Sequence, residues 1–281
     1  MSSPVNPAGP VRPAVRVTVA QIASTTDHGA NRQLVVDAFA AAASARADLL
    51  VLPEYTSAFD PAGVGHDLAE PLDGPFVATL RDQAAATGVV VVAGTAVPGA
   101  AAPGRAARAV NTMVALDAHG DLVGTYRKVH LYDAFGTRES DRLEPGPVDA
   151  APLVVDVHGL RFGVITCYDL RFPESARRVV DAGAQVLVVA GAWACGPLKV
   201  AHWTTLATAR AIENTAAVVA VGQAGRGVIG HSLVIAPDGV VVASLDENVA
   251  TATVDIDPTD IAAVRERNPS LANRRYRVVA G

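Results

Sequence analysis

Three residues able to share a proton and a charge stand at or near the ends of strand-like runs. Glu54 closes Leu49-Leu50-Val51-Leu52-Pro53-Glu54, Lys128 lies near the end of Thr125-Tyr126-Arg127-Lys128-Val129-His130-Leu131, and Cys167 closes Phe162-Gly163-Val164-Ile165-Thr166-Cys167. A glutamate, a lysine and a cysteine brought together make acyl-transfer machinery. The sulfur attacks a carbonyl-like carbon, and Glu54 takes the thiol proton and later returns one to the leaving nitrogen. Lys128 stands as a fixed cation beside the developing oxyanion, with the backbone N–H of Tyr168 as a natural second donor. Cys167 precedes a charged cluster, Asp169, Arg171 and Glu174, with Pro173 placed to open a helix. The helix dipole and nearby cations are expected to favour thiolate there.

Each residue alone also fits a plainer role. A cysteine after an apolar strand is commonly a small buried hydrophobe. Glu54 after a proline fits the start of a loop, and Lys128 fits a charge that blunts an edge strand. The combination argues otherwise, because strand ends in α/β folds gather at one rim and residues distant in sequence converge there.

The chain supplies such a rim. Short apolar strands alternate with Ala-rich helical stretches: strand over 15–22, helix over 31–47, strand over 49–52, helix over 75–87 and strand over 89–97. Hairpins follow, over 109–116 with 122–129 and over 153–157 with 161–166, the latter turning at His158-Gly159. Helices over 175–184 and 202–214 and strands over 185–191, 216–223, 232–236, 240–245 and 251–256 complete the pattern. Parallel βα units mixed with hairpins predict an α/β layered domain with mixed sheets. Residues 1–13 read as a loose tail without the features of a signal peptide, and 14–281 as a single domain.

Half of the 281 residues are hydrophobic, enough for a sizeable core, and the formal net charge is −5 with no basic tract. That balance argues against nucleic acid or an anionic membrane as partner. No apolar run is long enough to span a bilayer. Two cysteines, Cys167 and Cys195, make neither a disulfide framework nor a zinc site, so a reducing, cytoplasmic location is expected and no metal or other cofactor is called for.

Beyond these residues, Leu52-Pro53-Glu54, Tyr126-Arg127-Lys128-Val129-His130-Leu131 and Cys167-Tyr168-Asp169-Leu170-Arg171-Phe172-Pro173-Glu174 together resemble the nitrilase superfamily of carbon–nitrogen hydrolases. Ala201-His202-Trp203, Ala209-Arg210-Ala211-Ile212-Glu213-Asn214, Gly230-His231-Ser232 and Pro237-Asp238-Gly239 extend the likeness in the same order. The resemblance implies Glu54 as general base, Lys128 as electrostatic stabiliser and Cys167 as nucleophile. It also implies a second glutamate between lysine and cysteine, for which Glu139 fits best and Glu144 second. The implied fold is a four-layer α-β-β-α sandwich with two mixed β-sheets, dimerised face to face.

The residues after Cys167 resemble the amidases called Nit proteins. The Cys-Trp-Glu run of true nitrilases is absent. The substrates implied are small carboxylate-bearing amides, α-keto acid ω-amides or deaminated glutathione, cleaved with release of ammonia through a thioester. N-carbamoyl amide hydrolases carry a similar pattern and stay open as the alternative, as does a non-catalytic scaffold. Arg171 fits a carboxylate clamp or a salt bridge to Asp169 or Glu174. Trp193 and Tyr55 are candidate pocket walls with Tyr168, and Gln223 leans toward the deaminated-glutathione amidases. Cys195 reads as structural. His202, Trp203, Arg210 and Glu213 are expected to order the region behind the site, and His130 and His158 carry no signal. The Arg-rich stretch 265–277 fits either packing on a partner subunit or a solvated tail.

Overall fold

The computed structural model describes residues 14–100 and 106–279. The tail expected over 1–13 and most of the 99–105 loop lie outside the described residues. Two six-stranded sheets form the centre. One contains β1 (Val15–Gln21), β2 (Leu49–Val51), β3 (Val90–Pro98), β4 (Ala109–Leu116) and β5 (Leu122–Arg127). Between the sheets in sequence comes a two-stranded hairpin, β6 (Asp133–Ala134) with β7 (Thr137–Arg138). The other sheet contains β8 (Val154–Val157), β9 (Leu160–Thr166), β10 (Val186–Gly191), β11 (Ala217–Gly222), β12 (Leu233–Ile235) and β13 (Val241–Ser244). The last strand, β14 (Ala250–Ile256), returns to pair antiparallel with β1 and completes the first sheet.

Both sheets are wired alike. Three parallel strands, β1-β2-β3 and β9-β10-β11, are extended on one side by an antiparallel pair, β4-β5 and β12-β13. A single antiparallel strand, β14 or β8, closes the other side. The crossovers that parallel strands require are helices: α1 (His28–Ser44) and α2 (Pro75–Thr87) in the first half, α3 (Pro173–Asp181) and α4 (Lys199–Asn214) in the second. Local signals set their ends. Asp27 caps α1 by accepting from the Ala30 N–H at 3.0 Å, Pro75 and Pro173 start α2 and α3, and Gly88 at φ 70° stops α2. A fifth helix, α5 (Pro258–Arg267), follows β14.

Three apolar layers define the sandwich. Val17, Val19, Val51 and Val92 of the first sheet meet Phe162, Val164, Val188 and Val219 of the second in the central core. Phe39 of α1 and Phe76 and Leu80 of α2 cover the outer face of the first sheet through Leu50, Leu52 and Val91. Val179 of α3 and Trp203 and Ala207 of α4 cover the second through Ile165, Leu187 and Val189. This is the α-β-β-α sandwich with two mixed sheets that the sequence implied. Strands buried on both faces read as unbroken apolar runs, which is why the central ones were legible. Among the described residues no helix is long and apolar enough to cross a membrane.

The basic tail finds partners in its own chain. Arg274 pairs with Asp181 at 2.6 Å, and Arg265 donates to the Thr215 carbonyl at 3.0 Å.

Candidate active site

Glu54 follows β2 and is 1 % exposed. Its Oε1 accepts from the Asn111 side-chain amide at 2.6 Å and from Lys128 Nζ at 3.0 Å; its Oε2 accepts from the Ala192 N–H at 2.6 Å. The backbone turns sharply there, with Tyr55 at φ 58°. β3 must pass very close: a Cβ on Gly94 would sit 2.6 Å from the Glu54 Cα and 2.7 Å from the Pro53 carbonyl oxygen. Glycine at 94 therefore lets the glutamate lie against the sheet. Gln223, just past β11, donates to the Glu54 carbonyl at 3.1 Å and ties the two sheets together at this point.

Lys128 lies one residue past β5 and is also 1 % exposed. Its N–H donates to the Asn111 carbonyl at 2.9 Å, so Asn111 holds the lysine by its backbone and the glutamate by its side chain. Besides Glu54, Lys128 Nζ reaches both oxygens of Glu139, at 3.1 and 2.9 Å. Glu139 also accepts from the Tyr55 hydroxyl at 2.9 Å and the Tyr132 N–H at 2.7 Å. Burial alone would lower the Lys128 pKa, but Glu139 and Glu54 outweigh it and hold the ammonium well above its ordinary value. Glu144 lies apart, with its carboxylate 4.0 Å from Arg108.

Cys167 is 8 % exposed and opens a 3-10 turn, Cys167–Arg171, rather than an α-helix. Its φ of 48° is a left-handed conformation that a side-chain-bearing residue adopts at a cost of about 1–3 kcal/mol. The turn is braced from two sides. Buried Asp169 accepts from the Thr166 N–H at 3.1 Å and the Tyr126 hydroxyl at 2.7 Å, and its Oδ1 lies 2.7 Å from His130 Nδ1. Arg210 of α4 donates twice to the Leu170 carbonyl, at 3.1 and 2.7 Å. His130, without signal in the sequence, thus belongs to the scaffold that joins the lysine segment to the cysteine turn.

The expectation of a favoured thiolate is overturned. Burial first, and then the Glu54 charge, push the Cys167 thiol well above its usual range, and the opposing pull of Lys128 is smaller. Two carboxylates surround one ammonium, and the short 3-10 turn lacks the dipole of a full helix. The resting sulfur is therefore protonated beside a carboxylate that can take its proton.

Glu54, Glu139 and Cys167 line one cavity of about 390 Å³, a size suited to a small molecule. Tyr55, Tyr168 and Trp193 also line it, in the wall positions the sequence suggested. Trp193 packs on Trp203 with centroids 5.4 Å apart and donates from its indole to the Lys199 carbonyl at 3.1 Å. Arg171 does not line the cavity. Its guanidinium lies against the Trp193 ring at 4.9 Å, with Tyr168 at 5.9 Å and Phe135 at 5.6 Å. It makes neither anticipated salt bridge: Asp169 is engaged by His130 and Tyr126, and Arg171 Nη2 lies 3.4 Å from His202 Nδ1. Cys195 is exposed and free, outside the cavity lining.

Sequence reasoning passed over Asn111, Tyr132 and Lys199. A lone amide inside an apolar strand was the available signal for Asn111. For Lys199 there was none, because the sequence pattern starts the helix at 202, whereas the structure opens it at Lys199, where the dipole opposes a cation.

Residues 16–266 match the family described as carbon-nitrogen hydrolase. The chain belongs to that family. As a carbon–nitrogen hydrolase of the nitrilase superfamily it is an enzyme, and relatives that align over most of its length are amidases. It is 39 % identical over 262 residues to the deaminated glutathione amidase of Escherichia coli O157:H7, spanning 92 % of this chain and 97 % of that one. Among solved structures, XC1258 from Xanthomonas campestris, a CN-hydrolase superfamily protein with an arsenic adduct in its active site, superposes with a TM-score of 0.82 at 28 % identity, covering 95 % of this chain and 99 % of that one. A glutamate-to-glutamine variant of the amidase from Nesterenkonia sp. AN1, with acrylamide added at its active site cysteine, gives 0.73 at 28 % identity over 92 % of this chain and 98 % of that one.

Proposed function

We propose that this hydrolase cleaves the non-peptide C–N bond of a small carboxylate-bearing amide, with Cys167 as nucleophile, Glu54 as general base, and Lys128 with Glu139 as the charge-stabilising pair. The observation that supports this most is the single hydrogen-bonded cluster of Glu54, Lys128 and Glu139 on the cavity that Cys167 also lines. In the proposed reaction Glu54 removes the thiol proton as Sγ attacks the amide carbon. Lys128 and the Tyr168 N–H hold the oxyanion. Collapse of the adduct breaks the C–N bond; Glu54 returns the proton to nitrogen, and ammonia leaves a thioester on Cys167. Glu54 then deprotonates water, which attacks the thioester, releasing the carboxylic acid and the thiol. Glu139 keeps Lys128 aligned without touching the sulfur. The same reading takes the working protein to be a homodimer in the reducing cytoplasm, where an unpaired catalytic thiol stays reduced.

An ammonia-release screen over glutaramate-like, keto-amide, deaminated-peptide and carbamoyl compounds tests the reading. The wild-type protein is expected to turn over carboxylate-bearing amides, and a folded Cys167→Ala variant to show background release only. Carbon dioxide produced with the ammonia would select the carbamoyl alternative, and turnover by Cys167→Ala would remove the cysteine from the reaction.

A further inference from the structure

Lys199 is the first residue of α4 and is only 6 % exposed, yet it lines the same cavity as Cys167. Taking an ammonium out of water is costly unless it is paired, so a buried lysine needs an explanation. The other buried ammonium near the site, Lys128, has one, being matched by Glu54 and Glu139. Arg138 and Arg142, which also line the cavity, need none because they are exposed to solvent. Lys199 makes no ion pair among the described residues. Its Nζ touches only neutral groups, the Tyr132 hydroxyl at 2.7 Å and the face of Phe135 at 3.9 Å.

The start of its own helix adds positive charge. The first turn of α4 carries no acidic residue and has no side-chain cap, so the helix dipole adds to the lysine. Arg171 stacks on Trp193, with its Nη2 3.4 Å from His202 Nδ1 and its buried Nε without a hydrogen-bond partner among the described residues. The placement is also held rather than loose. Trp193 fixes the Lys199 backbone, and the Tyr132 hydroxyl fixes the ammonium, while the Tyr132 N–H donates to Glu139 at 2.7 Å. One residue thus links the lysine to the cluster around Cys167.

We propose that Lys199 is the specificity-determining cation of this site, binding the substrate carboxylate at the end of the cavity away from the scissile amide, with Arg171 supporting the field from behind. The inference deepens the amidase reading and rests on it. It moves to Lys199 the clamp that the sequence suggested for Arg171. A bound carboxylate would take an N–H of Lys199 now turned to the Tyr132 hydroxyl and the Phe135 ring.

The test compares succinamate and glutaramate with butanamide and pentanamide, which have a methyl in place of the carboxylate. In Lys199→Met the ratio of kcat/KM for the acidic over the neutral amides is expected to fall about ten- to hundredfold, mainly through KM, as loss of a charge-assisted hydrogen bond implies. Lys199→Arg should keep most of the ratio, and Lys199→Gln is the second neutral variant should Met fail to fold. Calorimetry on the Cys167→Ala protein should show the same weakening of glutaramate binding when Lys199→Met is added. A ratio unmoved by the neutral variants overturns the proposal while leaving an active amidase. Lys199-dependent binding of glutaramate by a wild-type protein that cleaves none of the four amides supports the anion site and removes short acidic amides as the substrates instead.

Discussion

The two sides of the cavity are built on opposite plans. The floor, Glu54, Lys128 and the Cys167 turn, hangs on strand ends, is almost wholly buried, and has its charges matched by hydrogen bonds. The wall, Tyr132 and Lys199, hangs on the segment leading into a short hairpin and on the start of a helix. It carries a cation without a counter-charge among the described residues, and a Phe135 that is 69 % exposed packs on that cation from the hairpin turn. Chemistry needs charges fixed against one another, and sheet ends supply that; recognition needs an unmatched group to offer the ligand, and the loop and helix start supply it. The floor should therefore govern kcat and the wall KM.

The largest break in that division comes from Glu54→Gln. Loss of a general base costs roughly 10²–10⁴ in rate, so kcat for ammonia release should fall by that factor. The variant also removes a negative charge that holds the Cys167 thiol high, so alkylation of Cys167 by acrylamide should persist. Steady-state kinetics beside mass-spectrometric counting of alkylated Cys167 would check both halves. Full turnover would take Glu54 out of the mechanism, and loss of alkylation in a folded variant would mean that the sulfur needs Glu54 to react at all.

A smaller and different effect is expected on the wall. Tyr132→Phe removes the hydroxyl that holds Lys199 at 2.7 Å but keeps the N–H that binds Glu139. A few-fold change in KM for acidic amides with kcat retained would sharpen the distinction. A fall in kcat as large as that of Glu54→Gln would abolish it.

The same contrast explains what the sequence revealed. The floor was legible because Glu54, Lys128 and Cys167 each interrupt an apolar strand pattern at or near its end, and strand ends of an α/β fold converge. The α/β layering with mixed sheets was legible from its parallel units and hairpins, and the four-layer sandwich from the family resemblance. Asn111 was not, because an amide inside the run 109–116 looks like an ordinary strand residue until the neighbouring carboxylate is placed. The hairpin carrying Phe135 was not, because two residues per strand leave no periodicity; its turn takes left-handed φ at both Phe135 (53°) and Gly136 (84°), and the glycine alone is a turn signal in sequence. The protonated state of Cys167 was hidden as well, since it depends on burial and on two carboxylates from distant segments. Lys199 was not legible either, because the sequence pattern starts that helix at 202 and the structure begins it at Lys199, and its lack of an acidic partner among the described residues is a property of the assembled cavity.

The central claim is that Cys167 carries the acyl group. The most direct measurement is acid quenching of the wild-type protein during turnover of a carboxylate-bearing amide, followed by peptide mass spectrometry. The account predicts the mass of the acyl group on the peptide containing Cys167 and an unmodified Cys195. An adduct on Cys195, or steady ammonia release from a protein whose Cys167 never carries one, would contradict it.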